Sequence, residues 1–158
     1  MLRACAGAGN LFMFDPYKTL GLEKSFFIDL NVLEQAYFAA QRNTHPDRFT
    51  LAEEAKKKNA AHKATLVNKA YTLLKNPLNR ATYLLEARGV SLLSHDPEFL
   101  PKVMEWNERT EAGEDISSEL AQEEAALLQE LSEALEHNED ERATKALYRL
   151  NYVQKVRK

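Results

Sequence analysis

The sequence predicts an all-α protein, and three observations support this prediction. Ala, Leu, Glu and Lys, which favour helices, are abundant, whereas the 158 residues include only five Gly and five Pro. Hydrophobic residues make up 44% of the chain and recur at intervals of three and four. Gly, Pro and Asn separate these periodic segments. A chain of this length forms one domain or two small ones, with enough apolar residues for a core.

Residues 1–14 are expected to be a poorly ordered leader. One Arg and a short, broken apolar run make neither a clear signal peptide nor a clear transit peptide. Cys5, the single cysteine, leaves no internal disulfide and no thiolate metal cluster, which suits a reducing compartment. No window reaches the roughly 18 consecutive apolar residues that a membrane-spanning helix needs, so no membrane partner is expected.

The first two helices are predicted from their end signals. Asp15 is an N-cap candidate before Pro16, and Gly21 ends a helix of one or two turns. The next helix runs to about Thr44, because the residue before Pro46 is pushed out of the α region. Its apolar stripe consists of Leu30, Leu33, Tyr37 and Ala40.

A second long helix follows a polar interval and ends at the sequence Lys-Asn-Pro, residues 75–77. Two amphipathic helices joined by a loop should pack antiparallel, which displays the tripeptide His45, Pro46 and Asp47 at the tip. A shorter helix follows and ends near Gly89. The inward residues of these two helices are Ala60, Ala64, Val67, Tyr71 and Leu74, then Ala81, Leu84 and Leu85.

The second half of the chain predicts a three-helix antiparallel bundle. Apolar residues recur at helical spacing in three segments, and Gly113 with Asp115 marks the first turn. These residues are Phe99, Leu100, Val103 and Met104; Leu120, Leu127, Leu128, Leu131 and Leu135; and Ala143, Ala146, Leu147, Leu150 and Val153. The predicted organisation is a leader at 1–14, a first domain at 15–88, a linker at 89–97 and the bundle at 98–158.

The charged residues are unevenly distributed between the two parts of the chain. Residues 1–88 carry 13 Lys and Arg against 8 Asp and Glu, whereas residues 89–158 carry 8 against 16. The two parts are therefore +5 and −8, which sum to the net charge of −3. Such a division suggests two surfaces with different partners, although two solvated helical faces explain it equally well.

The tripeptide His45, Pro46 and Asp47 could form a catalytic pair, a structural turn or a recognition tip. Acid–base catalysis needs a pocket, a nucleophile and an oxyanion donor beside the two side chains. The only cysteine is in the leader, and the sequence contains no Gly-rich phosphate loop. An independent enzyme is therefore not expected, while the turn and the recognition tip both stay open.

Three stretches together resemble a J-domain of the DnaJ kind: "YKTLGL" in the first helix, "THPDRF" at the tip and "VNKAYTLLKNPLNRATYLL" beyond it. The resemblance implies a protein that stimulates ATP hydrolysis by a DnaK-type heat-shock chaperone. It implies that His45, Pro46 and Asp47 contact that ATPase, flanked by Arg42 and Arg48. One departure is that the helix before the tip has Arg42 as its only cation, whereas many J-domains have a strongly basic face there.

The remainder of the chain resembles the HscB family of iron-sulfur cluster co-chaperones, through "NPLNRATYLLEARGV", "EFLPKVMEWNER" and "LYRLNYVQKV". The resemblance implies that the bundle binds an IscU-type cluster scaffold through an apolar patch with acidic neighbours. Two departures are Pro101, where an aliphatic residue is usual, and Ala112, where another carboxylate is expected. The implied scaffold-binding residues are Leu100, Pro101, Met104, Glu105, Glu108 and Tyr152.

Helical geometry alone does not decide between a scaffold-binding patch and core packing for these residues. Leu100 and Met104 are four residues apart, with Glu105 and Glu108 on an adjacent stripe, so they could form an apolar patch with an acidic rim. The alternative is that Leu100, Met104 and Val103 all belong to the core, because apolar helical stripes are usually buried. The residues alone favour the core, and Trp106 is expected to pack within the bundle.

Cofactor, metal and nucleic-acid functions are not expected. His62, His95 and His137 have no ligand spacing on a shared helix face, which argues against a zinc site. The basic run at residues 56–58 lacks interleaved aromatic residues and is predicted to be solvated surface.

The expected function is that of an adaptor. The J-domain would engage a DnaK-type ATPase, preferably HscA, while the bundle delivers the IscU-type scaffold to it, which raises their mutual effective concentration. The alternative is a general DnaJ-like co-chaperone for other clients, although the sequence lacks a Gly/Phe-rich linker and zinc-binding cysteine repeats. The expected location is the bacterial cytoplasm, with the mitochondrial matrix as the alternative, and the protein is expected to be a monomer or weak homodimer.

Overall fold

The computed structural model describes residues 14–45, 54–93 and 95–157. Over these residues the chain forms seven α-helices and no strand, which confirms the all-α prediction. They fall into two compact units divided between Tyr83 and Leu84. The helices are α1 (Pro16–Thr19), α2 (Leu30–Thr44), α3 (Glu54–Lys75), α4 (Pro77–Ala87), α5 (Leu100–Glu111), α6 (Ser117–Glu136) and α7 (Asp140–Arg157).

The short helix α1 begins as the sequence predicts. The Asp15 carboxylate accepts hydrogen bonds from the backbone N–H groups of Tyr17 and Lys18, at 3.0 and 3.2 Å, and so satisfies two free donors of the first turn. Pro16 lies at the first position of the helix, where its missing N–H costs nothing. Gly21 follows the helix with a φ of 69°, a conformation that favours glycine.

Helices α2 and α3 form an antiparallel pair, and α1 packs against α3. Tyr37 of α2 stacks on Tyr71 of α3 with ring centroids 4.3 Å apart, and its hydroxyl donates to Oδ1 of Asn68 at 2.7 Å. The buried side chains of the pair are Leu33, Ala60, Val67, Ala70 and Leu74. The prediction for Leu30 is wrong, because this residue begins α2 at the edge of its inward face and is exposed.

Arg80 and Tyr17 fix the segment that leads into α2. The Tyr17 hydroxyl donates to the backbone carbonyl of Ser25 at 2.6 Å, and burial raises the pKa of this hydroxyl. Arg80 is almost fully buried, donates from Nη1 to the carbonyl of Leu74 at 2.7 Å, and lies 5.4 Å from the ring centroid of Phe26. Arg80 therefore contacts both the end of α3 and the loop before α2.

The second unit contains the predicted three-helix bundle. Helix α7 packs extensively on α6 and also contacts α5. Arg142, near the start of α7, pairs with Glu133 late in α6, whereas Arg157 at its end pairs with Glu124, so α6 and α7 are antiparallel. The core residues predicted for α6 and α7 are buried except Leu128, which is half-buried: Leu120, Leu127, Leu131, Leu135, Ala143, Ala146, Leu147, Leu150 and Val153.

Candidate protein-interaction sites

His45 lies directly after the last residue of α2, in extended backbone with φ −62° and ψ 134°. This conformation is the one that a following proline imposes, so Pro46 explains why the helix ends at Thr44. His45 and Arg42 are exposed and, with Gln41 and Asn43, lie around one concave surface. Pro46, Asp47 and Arg48, the other residues predicted to contact an ATPase, lie outside the described residues.

The position of His45 suits recognition by a second protein. Helix α2 is held on α3 through Leu33 and the Tyr37 contacts, so the exposed His45 directly follows a supported helix. An exposed imidazole N–H can donate a hydrogen bond to a partner. Thr44, the residue before it, donates its hydroxyl to the carbonyl of Ala40 at 2.9 Å, which keeps the last turn of α2 closed.

Helix α5 carries the predicted scaffold-binding residues and separates them from the core. Val103 and Trp106 are buried, whereas Leu100 is 44% exposed and Met104 is 55% exposed. Of the three residues that could all have belonged to the core, only Val103 does. The packing expected for Trp106 within the bundle is confirmed. The remaining predicted residues of this helix, all exposed, are Pro101, Glu105 and Glu108.

Bonds to α6 set the rotation of α5 about its axis. Nε1 of Trp106 donates to Oε1 of Glu119 at 3.3 Å, and Nζ of Lys102 donates to Oε2 of Glu123 at 3.1 Å. Lys102 and Trp106 are one turn apart and therefore face α6 together. The stripe formed by Leu100 and Met104 is rotated away from that contact by the 3.6-residue period of the helix.

Tyr152, the predicted contact outside α5, lies half-buried on α7, which packs against α5. Its ring centroid is 5.0 Å from that of Tyr148, and Nζ of Lys155 lies 4.9 Å from the ring centroid. Lys102 of α5 and Arg157 of α7 pair with the neighbouring residues Glu123 and Glu124 of α6, so these parts of α5 and α7 lie at a similar level in the bundle.

The carboxylates of α5 differ in their pairing. Arg109 pairs with Glu114 and with Glu119, and its guanidinium lies 3.5 Å from Oε1 of Glu105. The bond to Glu114 is the main reason that the pKa of Arg109 is raised, whereas the bond from Trp106 is the main reason that the pKa of Glu119 is lowered. Glu108 has no ion pair among the residues that the structure describes, so its charge is available to a partner.

Glu111 is an exposed acidic residue that the sequence interpretation missed. It ends α5, three residues after Glu108 and seven after Met104, so the helical period places it on the same stripe. The seven-residue spacing from Met104 indicates this position in the sequence. The sequence interpretation instead expected the additional carboxylate at position 112, which is Ala112. Ala112 is the C-cap residue of α5, and Gly113 follows with a φ of 84°.

The part of the chain that the structure describes contains neither a candidate metal site nor a candidate membrane-spanning helix. No group of three or more His, Cys, Asp or Glu side chains in that part could hold a metal ion. None of the described helices is both long and apolar enough to cross a lipid bilayer.

The arrangement of two antiparallel helices with a histidine at the tip, followed by a separate helical bundle, defines a J-domain protein with a dedicated second unit. Residues 15–83 match the family model described as the DnaJ domain, and residues 95–158 match the model described as the HSCB C-terminal oligomerisation domain. The two matches fall on either side of the segment around residue 89.

Curated relatives identify the family. The chain is 38% identical to the co-chaperone protein HscB homolog of Burkholderia mallei (strain SAVP1), over 85% of each chain. It is 37% identical to the homolog of Burkholderia thailandensis, over 89% of this chain and 88% of the relative. The chain therefore belongs to the HscB family of co-chaperones.

Two solved structures share the fold over most of this chain. Human co-chaperone protein HscB superimposes with a TM-score of 0.84 at 28% identity, covering 90% of this chain and 78% of the human chain. Chaperone HscB from Vibrio cholerae superimposes with a TM-score of 0.79 at 29% identity, covering 90% of this chain and 93% of that chain. Both likenesses confirm an N-terminal J-domain followed by a helical C-terminal unit.

Proposed function

We propose that this protein binds an IscU-type iron-sulfur scaffold and delivers it to a DnaK-type chaperone ATPase, HscA, whose ATP hydrolysis it stimulates for cluster assembly and transfer. The bundle binds the scaffold and the J-domain engages the ATPase. Carrying both partners on one chain raises their effective concentration for each other. The tripeptide at the tip triggers hydrolysis once the scaffold is in place, and the protein itself carries no catalytic residue.

The observation that carries the scaffold assignment is the exposure of Leu100 and Met104. They lie on a helix whose other apolar residues, Val103 and Trp106, are buried, so burial in the core does not account for them. Exposed apolar side chains that are rimmed by charge mark a protein-binding surface. Glu108, which has no ion pair within the described ranges, follows Met104 by one turn and supplies that rim.

The ATPase assignment is supported by family membership and by the position of His45. An exposed imidazole at the end of a supported helix can donate to an acceptor on the ATPase, while Arg42 offers a charge-assisted bond beside it. Pro46, Asp47 and Arg48 complete this contact in the proposal. The bound tip favours the conformation of the ATPase in which hydrolysis proceeds, which is a shift of the partner's equilibrium.

Two assays test the proposal together. Titration calorimetry of the full chain against a purified apo scaffold of the IscU type should give a micromolar or tighter dissociation constant. Single-turnover ATP hydrolysis by purified HscA should accelerate when the full chain is added, and accelerate further when the scaffold is also present. Stimulation without scaffold binding would instead favour a general DnaJ-like co-chaperone that serves other clients.

We also propose where the protein acts, how it assembles and where its domains begin and end. The protein acts in the bacterial cytoplasm, as its Burkholderia relatives are bacterial. It works as a monomer or a weak homodimer. The domains extend over residues 15–88 and 98–158, with a linker at 89–97 and a leader before them. Sedimentation equilibrium of the full chain measures the oligomeric state, and expression of each predicted domain by itself tests the boundaries.

A further inference from the structure

Arg109 places a positive charge at the edge of the surface that is proposed to bind the scaffold. Its Nη1 lies 2.8 Å from Oε2 of Glu119 on α6, and its Nε pairs with Glu114. The same Nη1 lies 3.5 Å from Oε1 of Glu105, one turn earlier on α5. The Arg109 side chain is 32% exposed, so three carboxylates hold this guanidinium at the surface of the bundle.

Glu105 lies between Arg109 and the exposed apolar pair on the surface of α5. At about 100° per residue, Glu105 is about 100° from Met104 and about 40° from Arg109, in the same direction around the helix. Glu108 follows Met104 by one turn and lies on the apolar side of Glu105. Glu105 is therefore the carboxylate of the acidic rim that lies next to the cation.

The three contacts of Arg109 differ in length and exposure. The contact with Glu105 is the longest, and the Glu105 side chain is 63% exposed, so a basic group of a partner can draw this carboxylate away. Glu114 and Glu119 still hold the guanidinium when that happens. The positive charge then stays beside the rim and repels the basic groups that an acidic rim attracts.

We propose that Arg109 limits the negative charge that α5 presents to the scaffold, so that scaffold binding depends mainly on the apolar pair Leu100 and Met104. A rim of carboxylates alone attracts any basic protein. A cation within the rim weakens this attraction for all of them, and the apolar contacts then distinguish the correct partner. This inference rests on the proposed function, because it assigns a specificity-determining residue to the same site.

Removing this charge should tighten scaffold binding. For Arg109→Gln in the full chain, we expect calorimetry against a purified apo scaffold of the IscU type to give a dissociation constant about three- to tenfold lower at low salt. The gain should shrink to within about twofold in roughly 0.5 M salt, where charges are strongly screened. Arg109→Lys keeps the cation and should bind within about twofold of the unmodified protein. Arg109→Met, which keeps an apolar side chain of similar length, is the second test variant if Arg109→Gln loses its far-ultraviolet circular dichroism.

Arg142→Gln is the matched control. Arg142 is also held by three carboxylates, and its side chain is 39% exposed. One of these carboxylates, Glu130, lies eleven residues after Glu119 on α6. That spacing is about 16 Å along the helix axis, which exceeds the Debye length of about 10 Å in 0.1 M salt. Removing this cation should leave the dissociation constant within about twofold.

Each outcome decides a different statement. If the unmodified protein does not bind the scaffold, the proposed function fails and this inference fails with it. If the unmodified protein binds while Arg109→Gln and Arg109→Met bind equally or more weakly, the inference alone is overturned. It is also overturned if Arg109→Lys tightens binding as much as Arg109→Gln, because charge is then not the cause. If Arg142→Gln tightens binding by the same factor, the total charge of the bundle is responsible and the assignment to Arg109 is wrong.

Discussion

Trp106 and Glu119 join α5 to α6 through a hydrogen bond of 3.3 Å, donated by the indole nitrogen to Oε1 of the carboxylate. The indole ring is fully buried and forms a T-shaped pair with Phe99, with the two ring centroids 5.7 Å apart. This anchor fixes which side of α5 is inside. Two consecutive residues, Val103 and Met104, consequently lie in opposite environments.

Stability measurements should separate Val103 from Met104. Val103→Ala leaves a cavity in the bundle, so we expect a loss of about 2 kcal/mol in the free energy of unfolding. Met104→Ala removes a side chain that is already in contact with water, so the expected loss is below about 0.5 kcal/mol. Urea unfolding of both variants measures the difference, and equal losses would show that Met104 belongs to the core.

Scaffold binding, unlike stability, should depend on the exposed residues of α5. The double change Leu100→Ala and Met104→Ala is expected to weaken binding of an IscU-type scaffold by about tenfold or more, because it removes the apolar centre of the surface. Titration calorimetry measures the dissociation constant. Leu92→Ala with Leu93→Ala is the matched control, since these two leucines are also exposed but lie outside α5. Lost helicity in the first variant would mean that its residues support the fold.

His45→Gln should reduce stimulation of the chaperone ATPase to the basal rate. The glutamine keeps a polar side chain but cannot place an imidazole N–H at the end of α2, so the proposed contact is lost. Scaffold binding should remain unchanged, because the bundle is a separate compact unit. His62→Gln, which alters an exposed histidine of α3, serves as the control. Full stimulation by His45→Gln would contradict the role of the tripeptide as the trigger.

Asp96 and Arg149 should make stability depend on pH in acid. Nε of Arg149 donates to Oδ2 of the buried Asp96 at 2.8 Å, and this bond is the main cause that lowers the pKa of the carboxyl. A carboxyl with a lower pKa in the folded chain adds stability above its unfolded pKa of about 3.9, and that stability is lost as the pH falls through the folded pKa.

Asp96→Asn should therefore lower the free energy of unfolding at pH 7 by about 1–3 kcal/mol. It should also flatten the decline of stability below about pH 4 relative to the unmodified protein. Thermal or urea unfolding between pH 2 and pH 7 measures both effects. If the free energy of unfolding of the variant declined with falling pH as it does in the unmodified protein, a group other than Asp96 would cause the decline.

Much of the fold could be predicted because the helical period and the end signals agree. The stripe of α7 is buried as expected, and Pro46 explains why α2 ends at Thr44. The beginning of α3 was less predictable. It starts at Glu54, inside the polar interval, because charged residues on the first turns of a helix need no apolar partner.

The candidate sites were less predictable, for a geometric reason. Phe99, Leu100, Val103, Met104 and Trp106 spread over a wide arc of α5, and periodicity alone does not tell which part of that arc a neighbouring helix covers. The hydrogen bond between Trp106 and Glu119 determines which part of the arc is covered. This bond depends on the packing of α5 on α6, which the sequence pattern does not show. The same reason explains Leu30, which fits the apolar stripe of α2 by its spacing but is exposed.

Leu33 is the one buried residue that α2 contributes among the residues described. Most positions of this helix can therefore change with little effect on stability, since surface substitutions usually alter it by less than about 0.5 kcal/mol. A helix with this freedom can diverge rapidly between lineages while the fold beneath it stays the same.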